Sequence, residues 1–426
     1  MRFRCVKGMQ DILPGPIERW QAIEARFRRM AHLFRYAEVR TPILESTELF
    51  VRSIGETTDV VGKEMFTFER SDGSLTLRPE NTAGAARAYL EHGLGSLEPV
   101  TRWFYVGPMF RAERPQRGRF RQFHQAGCEI FGDPGPHCDA EMIDMLAHWL
   151  TELGVPRLEV HVSSLGGPEV RVRHREALLV HLRPRAAELS EHARDRLEQN
   201  PFRVLDSKDE RDQRVVEGAP SILEMLQGED RAHWEGLCRA LSALGTPYTV
   251  NPSLVRGLDY YTRTVFEFRA QAGELGSQNA LLGGGRYDEL MVGLGGPRVP
   301  ALGFAVGLER LLLAIPDAPS VLTPFCFVAP LGPRARCEAL VLGRDLRARG
   351  VVVEMDARGG SLRSMLRRAD ALGARFCLVL GDSELDRGVI QLKDLQSHTQ
   401  DEVAHSHVPT VVAERLSVQV SHERRP

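Results

Sequence analysis

The five clearest strand-like runs of this chain are SLTLRPE (74–80), TRWFYVGPMFRAE (101–113), FRQFHQAGCEIFG (120–132), RTVFEFRA (263–270) and ALGFAVG (301–307). Loops and helical stretches of unequal length separate them. Without a regular βαβ rhythm, an antiparallel α+β domain is favoured over a doubly wound parallel one. Ahead of them, PIERWQAIEARFRRMAHLF spaces Ile17, Trp20, Ile23, Phe27, Met30 and Phe34 three or four apart behind Pro16, which predicts an amphipathic helix. The β-prone YAEVRTPILE that follows contains Pro42, and a proline removes a ladder hydrogen bond, so this strand is expected at an edge or interface. Edge strand plus helix points to a dimer surface.

Further along, residues 171 to about 250 become helical and polar around the loop NPFRVLDSKDE, which reads as a helical insertion. The stretch IPDAPSVLTP (315–324) has three prolines in ten residues and marks a boundary. Past it, FCFVA, VVVE, FCLVL and GVIQLK alternate with two helical stretches, predicting a separate α/β domain over 322–426 with a charge of +2. A first domain over residues 1–320 and this second one suit a chain of 426 residues.

Several classes of protein are disfavoured at this point. No apolar run reaches the roughly 18 residues of a membrane span, and MRFRCVKGMQDILPG lacks the apolar core of a signal peptide, so a cytoplasmic protein is expected. Seven cysteines without a C-x-x-C pair, and 14 scattered histidines, argue against a disulfide framework and against a metal held by protein ligands alone. The net charge of −2 means that any polyanion site must be local. None of the four lysines (Lys7, Lys63, Lys208, Lys393) is followed by Ser or Thr, and no G-x-G-x-x-G is present, so a nucleotide must be held by other means.

One segment has the required field. Between Arg102 and Arg121 six arginines face the single acid Glu113, a charge of +5 in twenty residues. Strand, charged loop with Pro115 and Gly118, and strand would place it at one cleft, where it suits polyphosphate or RNA. Taken alone, the run also reads as a solvated arginine-rich hairpin.

FRAERPQRGRFRQFHQ resembles motif 2 of the class II aminoacyl-tRNA synthetases, in the form characteristic of the histidyl-tRNA synthetase family. RYAEVRTPILE resembles motif 1, ALGFAVGLERLLL motif 3, and LVRGLDYYTRTVFEF a histidyl signature; KGMQDILPG, TLRPENTAGAARAYLEHG, VLDSK and GGGRYDEL fit in the same order. Asn81 stands where glycine is frequent in bacterial members. The resemblance implies that the second domain is an anticodon-binding module and that the chain is a homodimer. It further implies that the chain joins L-histidine to ATP, forms histidyl-adenylate and transfers the acyl group to the 3′-terminal ribose of tRNA(His).

Such chemistry needs cations more than bases, because the attacking carboxylate is already ionised at pH 7 and charge develops on phosphate. By the resemblance, Arg111 contacts the α-phosphate, Arg310 the γ-phosphate, and Arg256 lies across the α-phosphate as a cationic catalyst. Glu113 and Arg119 belong to the same ATP site, with Mg2+ bridging the phosphates. Glu129, Tyr261 and Gln125 line the histidine pocket, Glu80, Thr82 and Gln125 hold the α-amino group, and Tyr260, Tyr287 and Arg119 complete it. Arg114 and Gln116 are placed to meet the tRNA acceptor end. Read singly, Arg256 is a surface arginine or one ion-paired beside Asp259, Glu129 a strand acid and Tyr260 a core residue. The glycine runs Gly283–Gly285 and Gly303 with Gly307 either turn tightly or let backbone approach a ligand.

Two rivals share parts of this pattern. A non-catalytic paralogue could sense histidine as a regulatory subunit of ATP phosphoribosyltransferase, but the intact RGLDYYTRTVFEF, Arg310 and a C-terminal domain set the chain apart from it. A class II synthetase for another amino acid leaves the histidyl signature without an explanation.

Overall fold

The computed structural model describes residues 3–55, 58, 60–71, 73–255, 260–271, 279–316 and 325–423, with side chains as far as residue 416. The chain divides into two compact units, Met1–Ala318 and Pro319–Pro426.

Strands of the first unit are β1 (Ala37–Glu38), β2 (Leu44–Ser46), β3 (Phe66–Arg70), β4 (Gly73–Leu77), β5 (Thr101–Phe110), β6 (Gln122–Phe131), β7 (Leu158–Ser164), β8 (Thr249–Val250), β9 (Thr262–Ala270), β10 (Ala280–Arg286) and β11 (Ala301–Gly307). Eight of them form one sheet in the order β1-β5-β6-β11-β10-β9-β7-β8, and β2-β4-β3 form a small second sheet. Every neighbouring pair from β5 to β7 is antiparallel, as expected from the sequence.

One face of the large sheet carries the core. Because side chains alternate along a strand, Ala126, Cys128 and Ile130 of β6, Phe304 and Val306 of β11 and Phe266 and Phe268 of β9 share it. Three helices cover these residues. Pro16–Leu33 buries Trp20, Ile23, Phe27 and Met30, Pro136–Glu152 buries Met142, Ile143, Leu146, Trp149 and Leu150, and Gly228–Leu244 buries Leu237 and Leu241. Phe27 meets Trp149 edge-on at 5.2 Å, and truncating such a fully buried ring costs about 3–5 kcal/mol.

The apolar stripe of the first helix packs inside its own protomer. One sequence expectation changes here. RYAEVRTPILE is two strands rather than one, with Pro42 in the link between β1, at the edge of the large sheet, and β2, in the small one. The proline thus costs neither ladder a bond.

Residues 168–227 build a separate hydrophobic cluster from Leu178, Leu179, Leu182, Leu189, Leu197, Val204 and Val215. The returning helix Gly228–Leu244 rejoins the central core.

In the second unit, β12 (Phe325–Leu331), β13 (Val352–Met355), β14 (Phe376–Gly381), β15 (Val389–Asp394) and β16 (Thr399–Ala404) are ordered β13-β12-β14-β15-β16. The first three pair in parallel and the last two antiparallel. Cys326, Val328, Leu378 and Leu380 pack on the helices starting at Pro333 and Val408, while Phe327, Ala329, Cys377 and Val379 pack on Met365 and Ala369 of helix Leu362–Ala371. With both faces covered, β12 and β14 read as continuous apolar runs.

Candidate active site

The other face of the large sheet is paved with small residues. Gln125, Gly127 and Glu129 of β6 face the same way at every second position, beside Gly303 and Ala305 of β11 and Gly283 and Gly285 of β10 in register. A β-carbon on Gly127 would come within 2.5 Å of the Tyr105 ring. The glycines therefore make a floor over which larger groups can lie, and Gly283–Gly285 form a central strand rather than a turn.

At one end of this floor lies Glu129, fully buried. Thr82 donates a hydroxyl hydrogen bond to Glu129 Oε1 at 2.7 Å, Tyr105 donates to the same oxygen at 3.1 Å, and the Tyr287 hydroxyl donates to Oε2. Burial dominates the balance: despite the three donors, the carboxyl pKa is pushed up to about 8 from an ordinary 4.5. A buried acid that keeps its proton at neutral pH is a group poised for a polar ligand.

Aromatic rings wall this pocket. Tyr260 lies 5.5 Å from Tyr287 and 4.7 Å from Tyr261, centroid to centroid. Tyr261 is buried with Leu254 and Val265, whereas Tyr260 is half-buried and also lines a larger cavity of about 510 Å3 with Arg171, Phe202 and Leu290. Glu80 accepts the backbone N–H groups of Thr82 (2.5 Å) and Ala83 (2.9 Å) and so caps helix Thr82–Glu91. Burial raises its pKa and these N–H groups oppose that rise. Beside it, Asn81 has an ordinary helical conformation (φ −116°, ψ −10°) and needs no glycine; its Oδ1 accepts from Arg78 (3.1 Å) and Thr41 (2.5 Å).

At the other end a cleft of about 300 Å3 is lined by Arg111, Glu113, Arg119, Phe123, Gln125, Glu267 and Arg310, over Gly283 and Ala305. Arg111 lies over the Phe123 ring at 5.4 Å and donates to the Pro79 carbonyl at 2.9 Å. Arg119 reaches Glu113 at 3.5 Å. Arg310 donates to the Ala280 carbonyl through Nε (3.1 Å) and Nη2 (2.8 Å). Burial, then the like charge of Arg119, lowers the Arg310 pKa. An anion between these two guanidiniums would relieve that repulsion. Gln125 Oε1 is buried without a hydrogen-bond partner among the described residues, an acceptor waiting for a donor between cleft and acid pocket.

The loop joining β5 to β6 closes on paired backbone hydrogen bonds between Gln116 and Arg119 (3.0 and 2.9 Å), with Gly118 at φ 71°. Arg114 and Gln116 are exposed on it. Glu309 anchors the helix that carries Arg310: its carboxylate accepts the His124 backbone N–H at 2.9 and 3.0 Å and faces His124 Nδ1 at 3.1 Å. Arg256 lies outside the described residues. Among those described, no group of three or more His, Cys, Asp or Glu could hold a metal ion, and no helix is long and apolar enough to cross a membrane.

The structure thus brings Glu80, Thr82, Gln125, Glu129, Tyr260, Tyr261, Tyr287, Arg111, Glu113, Arg119 and Arg310 around one sheet face. It adds Tyr105, Gly127 and Glu267. The signal for Gly127 was the pattern Gln125-x-Gly127-x-Glu129, polar or small at every second position of an otherwise apolar strand.

Residues 8–311 match the family model for histidyl-tRNA synthetase, and residues 326–415 the model for an anticodon binding domain. The chain belongs to the histidyl-tRNA synthetase family. It is 60% identical over 97% of its length to the histidine–tRNA ligase of Sorangium cellulosum, covering 97% of that protein. Against the Geobacter sulfurreducens histidine–tRNA ligase it is 46% identical over 97% of its length and 99% of that protein's. Among solved structures, apo histidyl-tRNA synthetase of S. aureus superposes with a TM-score of 0.81 at 34% identity, covering 96% of this chain and 100% of that one. As a histidyl-tRNA synthetase of class II, the chain uses ATP.

Proposed function

We propose that this chain activates L-histidine with ATP and transfers the histidyl group to the 3′-terminal ribose of tRNA(His), releasing AMP and pyrophosphate, with the imidazole seated on Glu129. The observation that carries the reading is the Glu129 carboxyl: buried, ringed by Thr82, Tyr105 and Tyr287, and on the same sheet face as the arginine cleft.

A neutral imidazole has one acceptor and one donor nitrogen. Glu129 and the ring share one proton, which serves the pair wherever it resides, and a side chain without that nitrogen leaves the Glu129 proton without an acceptor. Tyr260, Tyr261 and Tyr287 wall the ring, while Gln125, Glu80 and Thr82 take the α-amino group. The Glu80 oxygens are then shared with the helix N–H groups they already accept.

The amino-acid carboxylate attacks the α-phosphorus, the bond to the bridging oxygen breaks, and pyrophosphate leaves with the electron pair. No protein base is needed. Arg111 holds the α-phosphate, Arg310 the γ-phosphate, Arg119 the α-carboxylate or a phosphate, and Arg256 supplies positive charge across the reacting phosphorus. ATP would enter as its magnesium complex; Glu113, Glu267 and Glu309 are the carboxylates lining that cleft. Arg114 and Gln116 on the exposed turn meet the acceptor end of the RNA, and the second unit binds its anticodon arm.

The protein works as a cytoplasmic homodimer, for which light scattering at twice its 47.6 kDa is the check. Within the first unit the exposed apolar side chains Ile43, Leu44 and Phe68, on and beside the small sheet, are the surface suited to a second copy.

Titration calorimetry tests the histidine pocket directly. Glu129→Gln should weaken L-histidine binding by 10²-fold or more, leaving ATP binding within twofold. Unchanged histidine affinity would remove Glu129 from the substrate.

A further inference from the structure

Three parts of the first unit converge on Arg263, just past the two tyrosines. Arg263 has φ 45°, in the left-handed region that an L side chain other than Asn or Asp seldom adopts. Its backbone N–H donates to Gly166 O at 2.9 Å and its carbonyl accepts from Leu165 N at 2.7 Å. Its side chain donates through Nε to Asp230 Oδ1 at 2.8 Å and lies 3.2 Å from Glu229.

The same Asp230 carboxylate accepts the Gly167 N–H through Oδ2 at 2.8 Å. Gly166 and Gly167 are where the chain leaves β7 for helix Pro168–Leu182, and Asp230 stands in the first turn of the returning helix Gly228–Leu244. Entry to and exit from residues 168–227 therefore meet on one arginine. From within that segment Arg171 donates to the Tyr261 carbonyl at 3.3 Å, so the backbone is gripped at both residue 261 and residue 263. A β-carbon on Gly166 would fall 2.7 Å from Val170 and one on Gly167 3.1 Å from Asp230, so the entry loop has little room to adopt another path.

We infer that Arg263 and Asp230 are positioning residues for histidine activation: a clasp that ties the helical segment 168–227 to the Tyr260–Tyr261 wall and thereby sets the pose of the bound imidazole. Backbone strain at a non-glycine residue persists only where surrounding contacts over-determine it, and here those contacts come from both ends of one segment. The inference rests on the assignment of Tyr260 and Tyr261 to the histidine pocket.

The test uses the full-length protein in histidine-dependent pyrophosphate exchange, with the Michaelis constants for histidine and ATP and the melting midpoint measured for each variant. Asp230→Asn keeps an acceptor for Gly167 but weakens the ion pair; Arg263→Gly removes the side chain and accepts the backbone angle. Each should raise the histidine KM at least fivefold with the ATP KM within twofold, and the double variant should be no worse than the more affected single one. Arg263→Lys should recover part of the effect.

A histidine KM within twofold in both single variants would overturn the clasp, as would effects that multiply in the double variant. So would an equal rise in both KM values alongside a lowered melting midpoint, the mark of a structural role only. Glu129→Gln, run in parallel, separates the two levels. If it leaves the histidine KM unchanged, the pocket assignment fails and the clasp with it; if it raises that KM while the Asp230 and Arg263 variants do not, the clasp alone fails.

Discussion

Gly303 of β11 pairs in register with Glu129 of β6, and a β-carbon on Gly303 would overlap the Glu129 Oε2 oxygen. The carboxyl can lie flat over the sheet only because its neighbour has no side chain. Gly303→Ala must therefore push Glu129 off its three hydroxyl donors. The expected cost is about 1–3 kcal/mol in stability from overpacking and a histidine KM raised on the order of 10²-fold, as for an ångström-scale misplacement. Denaturant melts and exchange kinetics measure both. A KM within twofold of the parent would mean that the carboxyl position does not set histidine binding.

The raised Glu129 pKa makes a statement about stability. With a folded value near 8 and an ordinary value of 4.5, the folded chain holds a proton that the unfolded chain has lost throughout that interval. Stability then falls as pH rises from 4.5 to 8, by up to about 1.4 kcal/mol per unit from this group alone. Glu129→Gln lacks the slope, so its melting midpoint relative to the parent should climb from pH 5 to pH 8 and level off above. A difference independent of pH would show that the buried group is ionised in the folded protein throughout.

Much of this site was legible because its signals are local. The +5 run between Arg102 and Arg121 marked the arginine cleft, and the strands on either side of it, β5 and β6, needed only their apolar alternation. The segments that misled owe their structure to distant partners. ALLGGGR forms the central strand β10 although glycine is a poor strand former, because β9 and β11 supply burial and ladder bonds on both sides. Tyr105 escaped notice because its importance depends on Gly127 across the ladder, a pairing invisible in one dimension.

Two arginines should separate binding from chemistry. Arg310→Ala is expected to lower kcat/KM for ATP by roughly 10- to 150-fold, the loss of a charged hydrogen bond worth about 1.5–3 kcal/mol. Arg256→Ala should depress the activation rate by about 2.7–4 kcal/mol while leaving histidine affinity by calorimetry nearly unchanged, since its charge matters most in the transition state. Single-turnover activation kinetics decide it. Near-normal activation in the Arg256 variant would reduce that residue to a structural one.

The two units have separate cores, the first built on the large sheet and the second on β12, β14 and β15 with their helices. Ending the chain at Leu322 should leave pyrophosphate exchange at least partly intact and depress tRNA charging far more, because contacts to a distant arm of the RNA contribute binding and place its acceptor end. Equal loss of both activities in a folded truncation would count against a separable anticodon-binding unit.

The central claim is that a buried, proton-holding Glu129 and the arginine cleft act on one substrate pair, histidine and ATP. Pyrophosphate exchange into ATP, run with each of the twenty amino acids in turn on the full-length protein, measures it most directly. The account predicts exchange with histidine alone. Exchange of comparable rate with any other amino acid, or none with histidine, would contradict it.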